Sequence, residues 1–341
     1  MSLTRVNRRI VLAARPKGEP QDTDFRLEQA PVPRPADGQV LLRILYLSLD
    51  PYMRGRMNEG PSYAPPTAVG EVMEGGTVAE VIESRSPTWK PGDIVLSYSG
   101  WQEYAVADPE QLRKLDPSVA PVSTALGVLG MPGFTAYTGL LNIGQPKPGE
   151  TMVVSAASGA VGAVVGQIAK IKGTRVVGVA GSDDKCEYAV QELGFDACVN
   201  RRMSRFPDDL ITACAKGVDI YFENVGGPVL KSVVPLLNNF GRVPVCGLIA
   251  QYNLSGPSEG PDFTPTLMGA ILTRRLTFRG FIVTDFASQQ GDFLRDMSQW
   301  VREGKVKYRE DVVDGLENAV SAFEGLLRGE NFGKLIVKIA T

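Results

Sequence analysis

The chain has 341 residues, of which 43% are apolar and 22% are charged, and its formal net charge is −2. These values are typical of a globular protein with room for two domains. They exclude a polyanion-binding surface, which needs a clustered excess of lysine and arginine, so we expect no nucleic-acid partner. The N-terminal stretch lacks the features of a secretory signal, and no apolar run approaches the roughly 18 residues that a membrane helix requires.

Cysteine and histidine usage bears on metals and on the cell compartment. The chain has four cysteines, none of them in a C-x-x-C pair, and no histidine. Zinc sites need closely grouped thiolate, imidazole or carboxylate ligands. We therefore expect reduced, structural cysteines, no bound metal and a cytoplasmic location.

Short β-like runs separated by proline and glycine occupy the first 120 residues. The runs lie at 40–49, 75–84 and 93–108, and breakers such as "PVPRP" and "KPGD" stand between them. This texture predicts irregular β structure with tight turns.

From about Gly149 onward, apolar strands alternate with helical patterns. Such alternation predicts βαβ units and a parallel sheet. After Gln290 a further helix is followed by a strand, a helix and a closing strand. The predicted strands of the alternating region are 150–157, 174–181, 197–200, 218–226 and 242–249, and its first two helices are 159–173 and 182–194.

Small residues punctuate the turn between the first of these strands and its helix. Ala156, Gly159 and Gly162 follow one another at intervals of three in "SAASGAVGAVVGQ". A turn that brings a dinucleotide pyrophosphate onto a helix N-terminus must be lined by small residues. The spacing alone also fits a helix packed tightly on a sheet, but the strand–turn–helix context favours dinucleotide binding.

The end of the second strand distinguishes the two nicotinamide cofactors. An NAD site usually has an acidic residue there, which accepts a hydrogen bond from the ribose 2′-hydroxyl. In this chain Gly181 and Ser182 occupy that place, Lys185 follows, and Arg201 and Arg202 come after the third strand. Lysine and arginine hold a 2′-phosphate, so we predict NADPH.

Several motifs together resemble one family, the zinc-independent medium-chain dehydrogenases/reductases. Within it the chain is similar to the branch of prostaglandin reductases, leukotriene-type hydroxydehydrogenases and NADPH-dependent curcumin reductases. The resemblance implies a GroES-like β-rich domain over 1–125, a Rossmann domain with a doubly wound parallel sheet over 126–300, and a return to the first domain over 301–341. The motifs are "SLDPYMRGRM", "SAASGAVGAVVGQIAKIKG", "AGSDDK", "YFENVGG", "CGLIAQYN" and "GENFGKLIVK".

The same resemblance implies a set of cofactor contacts and a homodimer. Relatives join through the edge strands of two Rossmann sheets, and the matching segment here is 276–283. Relatives often carry a tyrosine where this chain has Arg201. The implied contacts are Gly159, Ala160, Val161 and Gly162 at the pyrophosphate, Ser182, Lys185 and Arg201 at the 2′-phosphate, Asn224 near the ribose, and Cys246, Gly247, Leu248, Ile249, Tyr252, Phe281, Ile282, Val283 and Asn331 around the nicotinamide.

The branch typically reduces the C=C bond of α,β-unsaturated ketones and aldehydes. Negative charge then builds on the carbonyl oxygen of the substrate, which needs hydrogen-bond donors but no imidazole. Tyr252 and Tyr52 lie in family motifs and are the expected catalytic donors, alongside the ribose hydroxyl of the cofactor. For the substrate pocket we expect Tyr52, Tyr63, Met131 and Tyr252.

The sequence is also compatible with two other functions. The chain fits an NADPH-dependent quinone oxidoreductase or alcohol dehydrogenase, which would use a similar cleft. It also fits an NADPH-binding sensor or structural protein without turnover.

Overall fold

The protein, described here as a computed structural model, is defined over residues 6–256 and 260–340. It has two compact units, the first made of Met1–Gly127 and Glu310–Thr341, the second of Val128–Arg309. The predicted domain limits, residues 125 and 300, remain a prediction of where the domains end. No helix within the described ranges has the length and apolar character needed to cross a membrane.

The strands and helices are numbered separately in chain order. The strands are β1 Val6–Leu12, β2 Phe25–Pro31, β3 Val40–Ser48, β4 Thr77–Ser84, β5 Ile94–Ser97, β6 Tyr104–Ala107, β7 Arg113–Lys114, β8 Thr151–Ser155, β9 Arg175–Ala180, β10 Ala197–Asn200, β11 Val218–Phe222, β12 Leu237–Val245, β13 Thr277–Gly280, β14 Glu310–Asp314 and β15 Lys334–Lys338. The helices are α1 Met53–Arg56, α2 Met131–Thr138, α3 Gly162–Ile171, α4 Asp183–Gln191, α5 Phe206–Ala213, α6 Gly227–Val233, α7 Thr264–Arg274, α8 Gln290–Arg302 and α9 Ala319–Arg328.

The first unit is built on a mixed sheet in the order β14-β15-β3-β4-β5-β7, with β6 also paired to β3. Only β14 and β15 run parallel in it, and β1 and β2 form a separate antiparallel pair. The predicted strand over 93–108 is wrong, because β5 ends at Ser97 and β6 begins at Tyr104. Between them Gly100 has a φ of +75°, and a β-carbon there would stand 2.5 Å from the carbonyl oxygen of Met73.

The second unit is built on a six-stranded parallel sheet in the order β10-β9-β8-β11-β12-β13. Renumbered within the sheet this is 3-2-1-4-5-6, the doubly wound order, and the predicted fold class is confirmed. The strand order reverses between β8 and β11. Ligands of such sheets bind outside the carboxyl ends of the strands at this reversal.

Several predicted boundaries in the second unit are wrong by a few residues. The predicted strand 218–226 ends at Phe222, and the predicted strand 242–249 is β12, which ends at Val245. The helix predicted from Gly159 begins at Gly162. At each of these boundaries the chain forms a turn at the carboxyl edge of the sheet, so the two strands end early and the helix begins late.

Candidate functional site

The glycine turn connects β8 to α3 at the strand-order reversal. Ala156, which replaces the first glycine of the usual pattern, adopts a left-handed φ of +53°. A β-carbon on Gly162 would overlap the carbonyl oxygen of Ala156, and the N–H of Gly159 donates to that same oxygen at 2.9 Å. The turn is therefore tight, and it leaves no space for a side chain at position 162.

Residues 159–161 are partly exposed, and they lead directly into α3. The first N–H groups of a helix have no acceptor within it. Together with the helix dipole, they favour an anion at this point. The segment formed by Gly159, Ala160, Val161 and Gly162 thus has the geometry of a phosphate site.

Two arginine side chains lie beside Gly181, the residue that follows β9. The guanidinium groups of Arg201 and Arg202 both come within 4.0 Å of the point where Gly181 would carry a β-carbon. Both arginines are exposed, so their charges are accessible to an anion. A side chain at position 181 would fill the space beside them. This arrangement fits a phosphate.

The two acidic residues near these arginines, Asp183 and Asp184, lie in the first turn of α4 and accept hydrogen bonds there. Ser182 lies at the N-cap position of α4, and its hydroxyl donates to the carboxylate of Asp184. Asp183 accepts a hydrogen bond of 2.8 Å from the side-chain amide of Asn200. Both carboxylates therefore lie in the first turn of the helix, where its dipole favours them. Lys185 follows in the same turn and is partly exposed.

The segment after β12 folds against the carboxyl end of β11. The N–H groups of Cys246 and Gly247 donate to the carbonyl oxygen of Glu223 at 2.9 and 3.1 Å. The hydroxyl of Tyr252 accepts the N–H of Leu248 at 3.3 Å, so the tyrosine lies against the backbone of its own turn. Burial, and after it the charge of Glu223, raises the pKa of the Cys246 thiol to about 12.

Asn224 is fixed at the reversal point itself. Its side-chain amide donates to the carbonyl oxygen of Ser155 at 2.8 Å, and its N–H donates to the Ser155 hydroxyl at 2.8 Å. These two bonds tie the ends of β8 and β11 together.

Two further predicted contacts, Phe281 and Ile282, interact with other residues of the second unit. Phe281 is 9% exposed, and its ring packs at right angles to that of Phe222. The N–H of Ile282 donates to Asp285 at 3.0 Å. Val283 begins the following 3-10 turn, and Met131 begins α2, where it is partly exposed.

In the first unit, Tyr52 and Tyr63 both make cation–π contacts with the same arginine. The guanidinium carbon of Arg56 is 5.7 Å from the ring centre of Tyr52 and 4.3 Å from that of Tyr63. Arg56 is 5% exposed, whereas Tyr63 is 58% exposed. The Nε of Arg56 lies 3.4 Å from the carboxylate of Glu74. Cation–π contacts of this kind orient aromatic rings.

A buried ion pair fixes the loop that carries Tyr52. The ammonium group of Lys334 donates to Asp50 at 3.0 Å and to the carbonyl oxygens of Leu49 and Leu335 at 2.6 and 3.0 Å. The hydroxyl of Ser48 donates to the other oxygen of Asp50. Burial lowers the pKa of Lys334, and the charge of Asp50 opposes this shift.

Comparison with known proteins agrees with this geometry. The family described as "N-terminal domain of oxidoreductase" matches residues 8–115, and the one described as "Zinc-binding dehydrogenase" matches residues 160–302. The chain is 55% identical to the NADPH-dependent curcumin reductase of Escherichia coli (strain K12), over 98% of this chain and 97% of the other. It belongs to the medium-chain dehydrogenase/reductase family.

Two further relatives place the chain within the predicted branch of this family. Prostaglandin reductase 1 of Oryctolagus cuniculus is 43% identical over 93% of this chain and 89% of its own length. The crystal structure of CurA in complex with NADPH from Vibrio vulnificus has a TM-score of 0.94 and 52% identity, and the match covers 98% of this chain and 99% of that one. The predicted resemblance is confirmed.

The description of the second matched family names zinc, which makes groups of metal ligands relevant. Among residues 6–256 and 260–340, no three histidine, cysteine or carboxylate side chains come together in a way that could hold a metal ion. Histidine is absent from the whole sequence.

The predicted site residues fall in both units. Tyr52, Tyr63 and Asn331 belong to the first unit, and the remaining ones belong to the second. The amide of Asn331 donates to the carbonyl oxygen of Gly333 at 2.8 Å. Their roles toward cofactor and substrate stay predictions.

Sequence reasoning missed three residues that organise these segments. Arg56 contacts the rings of both tyrosines, Lys334 fixes the Tyr52 loop, and the carboxyl group of Glu223 accepts a hydrogen bond from the Ser155 hydroxyl that binds Asn224. All three carry charge but are almost completely buried. All three residues lie inside the family motifs, and this position could have identified them. An ionisable residue is rarely buried unless it is paired, so each one predicts a specific partner.

Proposed function

We propose that this protein reduces the carbon–carbon double bond of α,β-unsaturated ketones and aldehydes with NADPH. The observation that carries the proposal is the pair of anion sites at the carboxyl edge of the parallel sheet. One is the turn closed by Gly162 on Ala156, and the other is the arginine pair beside Gly181. A relative at 55% identity is an NADPH-dependent curcumin reductase, a name that implies this chemistry.

NADPH fits the residues of the second unit. We assign its pyrophosphate to the segment 159–162, its 2′-phosphate to Ser182, Lys185 and Arg201, and its nicotinamide half to Asn224 and the segment 246–249. The segment 281–283 completes the proposed set in the second unit, and Asn331, which belongs to the first unit, stays a predicted contact. When bound, NADPH supplies a hydride.

The residues of the chain act on the oxygen of the substrate. We assign the hydroxyls of Tyr252 and Tyr52 as hydrogen-bond donors to the carbonyl oxygen, where negative charge develops as the β-carbon is reduced. Burial raises the pKa of Tyr52, with a further contribution from Asp50, so this phenol keeps its proton at neutral pH. Tyr63 and Met131 are assigned to the walls of the substrate pocket.

The experiment that tests this function is a substrate screen that monitors NADPH oxidation. The substrates are an aliphatic enal, an aryl enone, a diarylheptanoid, a simple quinone and a secondary alcohol, the last tested with NADP⁺, and the screen is repeated with NADH and NAD⁺. We expect turnover of the enal and enones with NADPH. Turnover of the quinone or the alcohol alone would replace the proposed function with that activity. Binding of NADPH without any turnover would indicate a non-catalytic role.

We further propose a metal-free, cytoplasmic homodimer that forms through the edge of the parallel sheet. β13 is the last strand of that sheet, and α7 has no buried residue. Large apolar side chains nearby are exposed: Leu272 by 77%, Phe240 by 63% and Met268 by 57%. Open strand edges and apolar patches of this kind favour association. The four cysteines carry free thiols, which suits a reducing compartment.

A further inference from the structure

Glu223 is a buried carboxyl group to which the proposed chemistry assigns no role. It follows β11 directly and is 1% exposed. Its Oε1 accepts four hydrogen bonds: from the hydroxyls of Ser155 at 3.1 Å and Tyr221 at 2.8 Å, and from the N–H groups of Val225 at 2.7 Å and Gly226 at 2.9 Å. A single buried oxygen thus accepts all four donors, of which only the Ser155 hydroxyl has a second acceptor within the described residues, the carbonyl oxygen of Phe222 at 3.3 Å.

The backbone of Glu223 extends this network to a third strand. Its N–H donates to the carbonyl oxygen of Pro244 at 3.0 Å, and its own carbonyl oxygen accepts the N–H groups of Cys246 and Gly247. One residue therefore holds the turns that follow β8, β11 and β12. These turns meet at the edge where doubly wound sheets bind nucleotides.

The network continues to Asn224 through one hydroxyl group. The Ser155 hydroxyl accepts the N–H of Asn224 and donates to Glu223. Hydrogen bonds arranged in such a chain strengthen one another. The Glu223 carboxyl group is thereby linked to the N–H of Asn224 through the Ser155 hydroxyl.

The two oxygens of Glu223 differ in their surroundings. Oε2 is buried and has no hydrogen-bond partner within the described parts of the chain. All four donors converge on Oε1. A glutamine can present the same acceptor at that place, whereas an alanine leaves four donors without it.

We propose that Glu223 is a positioning residue for the nicotinamide half of the cofactor, holding Asn224 and the segment 246–249 in place without touching the cofactor itself. This inference rests on the proposed function. The 2′-phosphate end is built on other strands, by Gly181 after β9 and Arg201 after β10. The hydrogen bonds of Glu223 do not include these residues.

Because different strands carry the sites for the two halves of the cofactor, the effect of Glu223 on each half can be measured separately. Calorimetric titration measures the affinity of the full-length protein for NADPH and for 2′,5′-ADP, which carries only the adenosine half. We expect Glu223→Ala to weaken NADPH binding by about tenfold or more, because four buried donors lose their acceptor. Affinity for 2′,5′-ADP stays at the wild-type value. Glu223→Gln restores the acceptor but places an amide N–H₂ group where Oε2 has no partner within the described residues, so we expect it to weaken NADPH binding less than the alanine variant does and to leave the affinity for 2′,5′-ADP unchanged.

Glu150→Gln is the matched control. Glu150 precedes β8, at the opposite edge of the same sheet, and pairs with Arg242 at 2.6 Å. Its substitution also removes a carboxylate from the second unit, and we expect neither affinity to change. Thermal unfolding of every variant shows whether it is folded. If Glu223→Ala does not fold, Ser155→Ala takes its place and weakens NADPH selectively.

Three results would overturn the inference. These are an equal loss of both ligands, an unchanged NADPH affinity in the alanine variants, and a glutamine variant as weak as the alanine variant. Failure of the wild-type protein to bind NADPH would instead overturn the proposed function, so the two failures are distinguishable.

Discussion

Gly162 lies directly against the backbone of Ala156. A β-carbon on Gly162 would overlap the carbonyl oxygen of Ala156 and stand 2.9 Å from its carbonyl carbon. The close approach of these two residues closes the turn between β8 and α3. It directs the first N–H groups of α3 toward the edge of the sheet, where an anion can be bound.

Gly162→Ala is therefore expected to open the turn. The neighbouring atoms belong to the backbone and cannot move aside cheaply, so we expect a loss of about 1–3 kcal/mol in the free energy of unfolding. We expect NADPH affinity to fall about tenfold or more, because the turn carries the pyrophosphate site. Calorimetric titration and chemical denaturation measure the two effects. Gly291→Ala in α8, where a β-carbon would meet open space, is the control and leaves both values near wild type.

Arg201 is expected to select NADPH over NADH. Removing a charged hydrogen bond to phosphate costs about 1.5–3 kcal/mol, so Arg201→Ala should lower kcat/KM for NADPH by about 10- to 100-fold. The value for NADH should change little, since it lacks the 2′-phosphate. Arg205→Ala is the control, because Arg205 pairs instead with Asp209 at 3.4 Å. Equal losses with both cofactors would remove Arg201 from the 2′-phosphate site.

Tyr252 is expected to contribute to the chemical step. Loss of one donor to the developing oxyanion costs about 10²- to 10³-fold in kcat, and we expect Tyr252→Phe to show the lower value because the ribose hydroxyl and Tyr52 remain. Tyr46→Phe in β3 serves as the control for loss of a phenol hydroxyl. Steady-state kinetics with an aryl enone gives kcat and KM separately. A change in KM alone would assign Tyr252 to substrate binding.

The dependence of kcat on pH is expected to follow from the ionisable groups of the chain. With no histidine, kcat for a non-ionising enone should show no step near the imidazole pKa of roughly 6.5. Burial raises the pKa of Tyr52 above its ordinary 10.0, so the neutral donor form of this phenol persists in alkaline solution. The Cys246 thiol, with a pKa of about 12, also stays protonated.

Glu223, which is buried, and Glu74, whose side chain is 45% exposed, are two carboxyl groups that can mimic a histidine in that profile. Burial raises the pKa of Glu223 and of Glu74. Measuring kcat against pH in Glu223→Gln and Glu74→Gln accounts for both. A step near neutral pH that survives both substitutions would contradict the assignment of phenols as the donors.

The sheet edge is expected to mediate dimerisation. Leu272→Lys places a charge on the exposed apolar face of α7, and we expect sedimentation analysis to show monomers where the wild type shows dimers. Val312→Lys is the control, since Val312 is an exposed apolar residue of β14 in the first unit. A wild-type protein that sediments as a monomer would contradict the proposal.

Local sequence patterns predicted most of the second unit. Apolar strands, the helix period and the small residues at 156, 159 and 162 are all local features, and the sheet they predicted is present. The ends of the strands were predicted less well. β11 stops at Phe222 because the next residue turns its carboxyl group back onto the N–H groups of Val225 and Gly226.

The organising charges could not be predicted because their partners are distant in sequence. Asp50 and Lys334 form one buried pair although they are 284 residues apart. Ser155 and Glu223 are likewise 68 residues apart. Only the three-dimensional fold brings such groups together, so their burial and pairing have no local pattern.

The most direct test of the central claim is the fate of the transferred hydride. The protein is incubated with an aryl enone and NADPH that carries deuterium at the reactive position, and the product is analysed by NMR. We predict one deuterium on the former β-carbon and an intact carbonyl group. Deuterium on the carbonyl carbon, or none in the product, would contradict the account.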